Sequence, residues 1–141
     1  MVRKASAVWN GSLKEGKGTI STDSGVLSKT PYSFSTRFED GKGTNPEELI
    51  AAAHAGCFTM ALSAQLGNAG ITAEKLETVA SVTLEKLEAG FTITKIHLDL
   101  NANIKGADKA AFEKAAQDAK AGCPISRLLK AEITLSTKLQ T

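Results

Sequence analysis

The chain has 141 residues, of which 42% are hydrophobic and 23% charged, with a formal net charge of +2 at pH 7. That balance predicts one globular domain, 1–141, and excludes a disordered chain. Opposite charges are interleaved, as in Glu85-Lys86 and Asp108-Lys109, so no basic stripe predicts a nucleic-acid or membrane-surface partner, and two cysteines with two histidines exclude a disulfide-stapled miniprotein and a clustered zinc site.

The N-terminal run Met-Val-Arg-Lys-Ala-Ser-Ala-Val-Trp passes into Gly, Lys and Glu, which is not the pattern of a secretory leader. Three β-type runs follow, over 5–9, 18–22 and 32–38, separated by the turn signals Asn10-Gly11 and Asp23-Ser24-Gly25; they predict an antiparallel meander. A helix is expected from about Pro46 to Leu66. Thr44 or Asn45 caps it, Pro46 suits its first position, and Glu47 and Glu48 lie at the positive end of its dipole. Leu49, Ala52, Ala53, Gly56, Cys57, Met60 and Ala64 recur at helical spacing and predict a small-residue packing stripe. The stretch from Leu49 to Leu66 reads as too short and too weakly hydrophobic for a membrane span. A cytoplasmic location, where thiols are kept reduced, is the expectation.

Two long strands are predicted next, 75–88 and 91–104, turning at Ala89-Gly90. The inward face is expected to carry Leu76, Thr78, Ala80, Val82 and Leu84 on one strand and Ile96, Leu98, Leu100, Ala102 and Ile104 on the other. Asp108 caps a helix reaching about Lys120. Pro124 opens a short helix, 124–130, with Cys123 at its N-cap, where unpaired amides are expected to favour the Cys123 thiolate. Ile133, Leu135, Thr137 and Leu139 close the chain as an alternating strand.

Cysteine chemistry is the sharpest functional signal. The 66-residue interval between Cys57 and Cys123 excludes a local Cys-x-x-Cys motif. Cys57 alone reads equally as an ordinary buried thiol on an Ala-rich helix. A reactive role needs a nearby cation, because an apolar helix face raises a thiol pKa. Arg37 is the candidate cation, and Glu47 the carboxylate that orients its guanidinium by a forked pair of hydrogen bonds. Glu47 and Cys57 are ten residues apart, about 15 Å along one straight helix; assembling all three side chains therefore needs a bend or a second chain. His54, one turn before Cys57, reads as polar filling, since no third residue is placed to orient it as a base.

Thr36-Arg37-Phe38, the run Gly43-Thr44-Asn45-Pro46-Glu47-Glu48-Leu49-Ile50-Ala51-Ala52-Ala53-His54-Ala55-Gly56-Cys57-Phe58 and the run Lys120-Ala121-Gly122-Cys123-Pro124-Ile125-Ser126 resemble the osmotically inducible protein C family over nearly the whole chain. His54 and Arg37 within Thr-Arg-Phe are more similar to this branch than to the sister organic hydroperoxide resistance branch. The resemblance implies an α+β fold, an intertwined homodimer of antiparallel strands with long central helices. It further implies a stress-response thiol peroxidase acting on organic hydroperoxides and more weakly on hydrogen peroxide. In it Cys57 is peroxidatic, Cys123 resolving, and Arg37 and Glu47 the activating pair, the arginine coming from the partner subunit. No bound metal or cofactor is implied, and the reductant is an external dithiol such as a lipoyl group. The rival reading is a non-catalytic dimeric module that binds a small apolar ligand.

Overall fold

A computed structural model describes residues 1–141, arranged as two compact units, Met1–Leu49 and Ile50–Thr141. In the first unit β1 (Ala5–Asn10), β2 (Lys17–Thr22) and β3 (Thr30–Tyr32) form a three-stranded sheet in that order. Both pairings are antiparallel, the predicted meander. Its packing centres on Gly18. A Cβ there would run into the rings of Trp9 and Tyr32, which face each other with centroids 5.4 Å apart.

The predicted third strand is cut short. Residues 34–38 form a helix, α1 (Phe34–Phe38), because Ser33 and Thr36 make a capping box. The Ser33 hydroxyl accepts from the Thr36 amide at 3.2 Å, and the Thr36 hydroxyl accepts from the Ser33 amide at 2.8 Å. Two backbone donors that a sheet would have paired are satisfied locally, so a β-rich composition gives way to capping chemistry.

α2 (Pro46–Asn68) begins with its N-terminus in the first unit and carries its remaining length in the second. Asn45 caps it, its side-chain oxygen accepting from the Glu48 amide at 2.8 Å. The buried face is not the predicted small-residue stripe. His54, Phe58, Leu62 and Leu66, spaced four apart, are buried, whereas Ala52, Ala53, Gly56, Met60 and Ala64 are exposed and Cys57 is half-buried. Burying Phe and Leu removes more apolar surface from water than burying Ala and Gly, so the larger residues set the helix rotation. Another expectation is also corrected. With 23 residues and a mean hydropathy of 1.4, α2 is long and apolar enough to cross a membrane by length and composition, so those criteria do not exclude a span; core helices pass the same test, and one face of α2 lies in a core.

The second unit places β4 (Lys75–Leu87), β5 (Gly90–Asn103) and β6 (Glu132–Gln140) in one sheet. β4 and β5 pair antiparallel through a turn at Glu88-Ala89; Gly90 follows at a φ of 123°, a backbone region that favours glycine. β6 runs parallel to β5, which requires a crossover. α3 (Lys109–Gly122) and α4 (Pro124–Leu128) supply it. The predicted inward residues of β5, from Ile96 to Ile104, are buried and pack with Phe58, Leu62 and Leu66 of α2 and with Phe112, Ala115, Ala116 and Ala119 of α3 in one apolar cluster. Asp108 caps α3 as predicted, accepting from the Ala111 amide at 3.1 Å.

Leu62 stands at the centre of that cluster and is fully buried. Leu62→Ala should lower the unfolding free energy by about 2–5 kcal/mol, read from denaturant melts. A loss well under 1 kcal/mol would place the buried face of α2 elsewhere.

Candidate active site

Two pairs of side chains carry the chemistry, one in each compact unit. In the first unit the Ser33–Thr36 capping box fixes α1, and Arg37 lies in its last turn. Arg37 Nε donates to both carboxylate oxygens of Glu47, at 3.1 and 3.2 Å, and Nη2 donates to Oε1 at 2.6 Å. The Asn45 side-chain amide donates to the Thr36 carbonyl at 3.0 Å, tying the start of α2 to α1. The guanidinium carbon also lies 5.3 Å from the centroid of the Phe38 ring, within cation–π range. Orientation is thus set by a carboxylate and a ring face, and Nη1 keeps its donors for another acceptor. A cavity of about 320 Å³ adjoins the arginine, walled by Trp9, Leu13, Tyr32, Phe34 and Phe38.

In the second unit Cys57 and Cys123 meet. Pro124 cannot continue α3 and disfavours helical geometry at the residue before it. Cys123 accordingly adopts φ −56°, ψ 129°, serving as C-cap of α3 and N-cap of α4. This corner buries Cys123 completely and brings its Sγ–H to Cys57 Sγ at 2.8 Å; both thiols are free. The expected effect of the α4 N-terminus falls on a different sulfur. Cys123 makes no side-chain capping bond, and the backbone amide of Ile125 hydrogen-bonds to Cys57.

Burial pushes the Cys57 thiol above its usual range, and the contact with Cys123 adds to the rise, since two adjacent sulfurs share a proton and repel when both ionise. The Ile125 amide acts the other way, but the net shift is upward. Within its own unit Cys57 is therefore a thiol awaiting a cation.

His54 is fully buried, one turn before Cys57. Its Nε2 lies 2.7 Å from Ser126 Oγ on α4, and its Nδ1 has no hydrogen-bond partner. Burial lowers its pKa. No carboxylate orients the ring, in keeping with a structural role and not that of a general base. His97, on β5, contacts only the hydroxyls of Thr134 and Ser136.

The family model for OsmC-like proteins matches residues 39–138. A peroxiredoxin, OsmC, of Escherichia coli K12 is 56% identical over 139 residues, covering 99% of this chain and 97% of that one. The chain belongs to the OsmC-like protein family. That kinship makes it a cysteine-based peroxidase. The organic hydroperoxide resistance protein OhrB of Bacillus subtilis is more distant, 31% identical over 87% of this chain and 89% of its own. Its crystal structure superposes with a TM-score of 0.68 at 27% identity, over 97% of this chain and 98% of that one. An OsmC-like protein of unknown function from Vibrio cholerae shares the fold, with a TM-score of 0.79 over 98% and 99% of the two chains at 21% identity. The mixed α+β fold is thus that of the OsmC-like family, as the sequence motifs imply.

Two participants escaped the sequence reading. Ile125 and Ser126 lie in the quoted run Cys123-Pro124-Ile125-Ser126, yet one acts through its backbone amide and the other through a histidine 72 residues away. The aromatic cavity is assembled from β1, β3, α1 and a loop, and no local motif encodes it.

His54 gives a pH dependence of known sign. Its folded pKa lies below the unfolded value of about 6.5. The unfolded chain therefore takes up the proton first as pH falls through that value, and stability drops on going from pH 7.5 to 5.5. His54→Gln should shrink this drop when melting temperatures are compared at the two pH values. An unchanged drop would mean that His54 protonates equally in both states.

Proposed function

We propose that this chain reduces organic hydroperoxides, and hydrogen peroxide more weakly, by a two-cysteine cycle. The observation that carries this reading is the 2.8 Å contact between a half-buried Cys57 and a buried Cys123, 66 residues apart in sequence. The Cys57 thiolate attacks the distal peroxide oxygen; the O–O bond breaks, the alcohol leaves with a proton, and Cys57 becomes a sulfenic acid. The Cys123 thiolate then attacks the Cys57 sulfur, an S–S bond replaces the S–O bond, and the oxygen departs as water. An external dithiol, for which a lipoyl group is the family precedent, takes up the oxidation and returns both thiols. No bound cofactor enters the cycle, and the two compact units act as one domain.

The upward shift of the Cys57 thiol makes Arg37 indispensable. Its unused donors stabilise the thiolate and the charge that develops as the O–O bond breaks. We place Arg37 of the partner subunit at Cys57, because Glu47, which holds the arginine, and Cys57 are ten residues apart on α2, about 15 Å along its axis. Two features support a homodimer: the exposed Ala52, Ala53, Gly56, Met60 and Ala64 of α2, and a groove of about 830 Å³ bordered by Gly56, Met60, Ile71 and Leu76. The aromatic cavity beside Arg37 suits an alkyl or aryl group, which favours organic hydroperoxides. A reducing cytoplasm suits thiols that must start each cycle free. The rival reading, a non-catalytic module for an apolar ligand, finds no support among the relatives, whose names are those of peroxidases and hydroperoxide resistance proteins.

Cys57→Ser should abolish turnover of cumene hydroperoxide, whereas Cys123→Ser should allow one fast oxidation of Cys57 and then stop. Undiminished turnover by both variants contradicts the cycle. Arg37→Ala should slow the first step on the order of 10²-fold, and Arg37→Lys less severely, because the charge survives without the planar fork. Mixing Arg37→Ala with Cys57→Ser subunits should restore part of the activity. Heterodimers that form without recovery would place Arg37 and Cys57 on the same chain or remove Arg37 from the reaction.

A further inference from the structure

α4 is five residues long, too short to be stable as an isolated helix. None of its residues is fully buried, and Leu128 is 73% exposed. Yet both groups that act on the Cys57 sulfur ride on it or at its start: the Cys123 thiol at its N-cap and the Ile125 amide in its first turn. Something must hold this short segment in register with α2. The one side-chain hydrogen bond that spans from α4 to α2 runs between His54 Nε2 and Ser126 Oγ, at 2.7 Å.

The histidine is a costly way to fill that position. It is fully buried, with Nδ1 unpartnered, and an unsatisfied buried polar atom is destabilising. Phe58, Leu62 and Leu66 continue the same helix face with apolar side chains, so packing alone does not call for an imidazole there. What the imidazole adds is a directional contact to the residue after Ile125 and three after Cys123.

We propose that His54 is a positioning residue for the resolving step: through Ser126 it latches α4 to α2 and keeps Cys123 within reach of the oxidised Cys57. This rests on the two-cysteine cycle proposed above. When the Cys57 sulfur gains an oxygen, the sulfurs must separate to admit it and then close again to expel it as water. With α4 latched, the Cys123 sulfur returns along one short path and the disulfide forms before a second peroxide reaches the sulfenic acid. Without the latch α4 frays, closure slows, and more of the sulfenic acid goes on to the sulfinic acid, consuming a second hydroperoxide and releasing a second alcohol.

Rapid mixing with cumene hydroperoxide, followed by acid quench and intact mass spectrometry with and without dimedone, separates the two steps. Dimedone reports the sulfenic acid, and loss of 2 Da reports the disulfide. Ser126→Ala should slow disulfide closure about three- to tenfold, the range expected for losing one such hydrogen bond, and should raise the fraction oxidised to the sulfinic acid, seen as a gain of 32 Da. Ser126→Thr keeps the hydroxyl and should restore both values. His54→Phe should slow closure to the same extent while keeping the melting temperature, since an apolar ring removes the orphaned nitrogen. The double variant should be no slower than either single one, because both act through one bond. Closure at the parent rate in Ser126→Ala and His54→Phe, or in Ser126→Ala alone should His54→Phe not fold, overturns the latch and leaves the cycle standing. A parent protein that forms neither a dimedone adduct nor a disulfide overturns the cycle, and the latch with it.

Discussion

The fold turns on one corner. Pro124 ends α3, forces extended geometry on Cys123 and starts α4, and from that single change of direction come the buried thiol, the amide on the Cys57 sulfur and the approach of two cysteines 66 residues apart. The crossover that contains the corner exists because β6 must return parallel to β5. Sheet topology and thiol chemistry are therefore consequences of the same connection. The apolar cluster of α2, β5 and α3 fixes two of the three elements involved, leaving α4 as the part with the least packing of its own.

Electrostatics divide the work between pairs. The Cys57 sulfur lies where burial and a second thiol disfavour its charged form, and one backbone amide offsets only part of that. The Arg37 guanidinium has the complementary character: it is held by three contacts to Glu47 and by the Phe38 ring, with donors in reserve. A thiol that stays protonated until an arginine arrives is protected from indiscriminate oxidation, because the thiolate is the reactive form. The raised pKa is in this view part of the design of the site and not a defect in it.

Much of this was legible in the sequence, for reasons that differ from element to element. The alternation along β5 named every inward residue because both neighbours of that strand are in the same sheet and one face is wholly buried. Asn45-Pro46 and Asp108 marked helix starts because capping is local chemistry. The same locality misled at 33–38, where Ser, Thr and Phe read as strand but Ser33 and Thr36 close a capping box. On α2 two stripes compete, and periodicity alone does not say which is buried; the larger side chains at 54, 58, 62 and 66 won. Cys57, Cys123, Arg37 and Glu47 were found from residue type and motif. Ile125 was not, because a backbone amide leaves no mark on residue identity, and Ser126 was not, because its partner is distant in sequence.

The central claim is that Cys57 and Cys123 form a peroxide-driven redox couple, and the mass of the chain tests it most directly. Adding one equivalent of cumene hydroperoxide to the fully reduced protein should release one equivalent of the alcohol within seconds, remove both free thiols, lower the chain mass by 2 Da and link the peptides that contain Cys57 and Cys123, without joining one chain to another. Two free thiols and an unchanged mass after the same treatment would contradict the account.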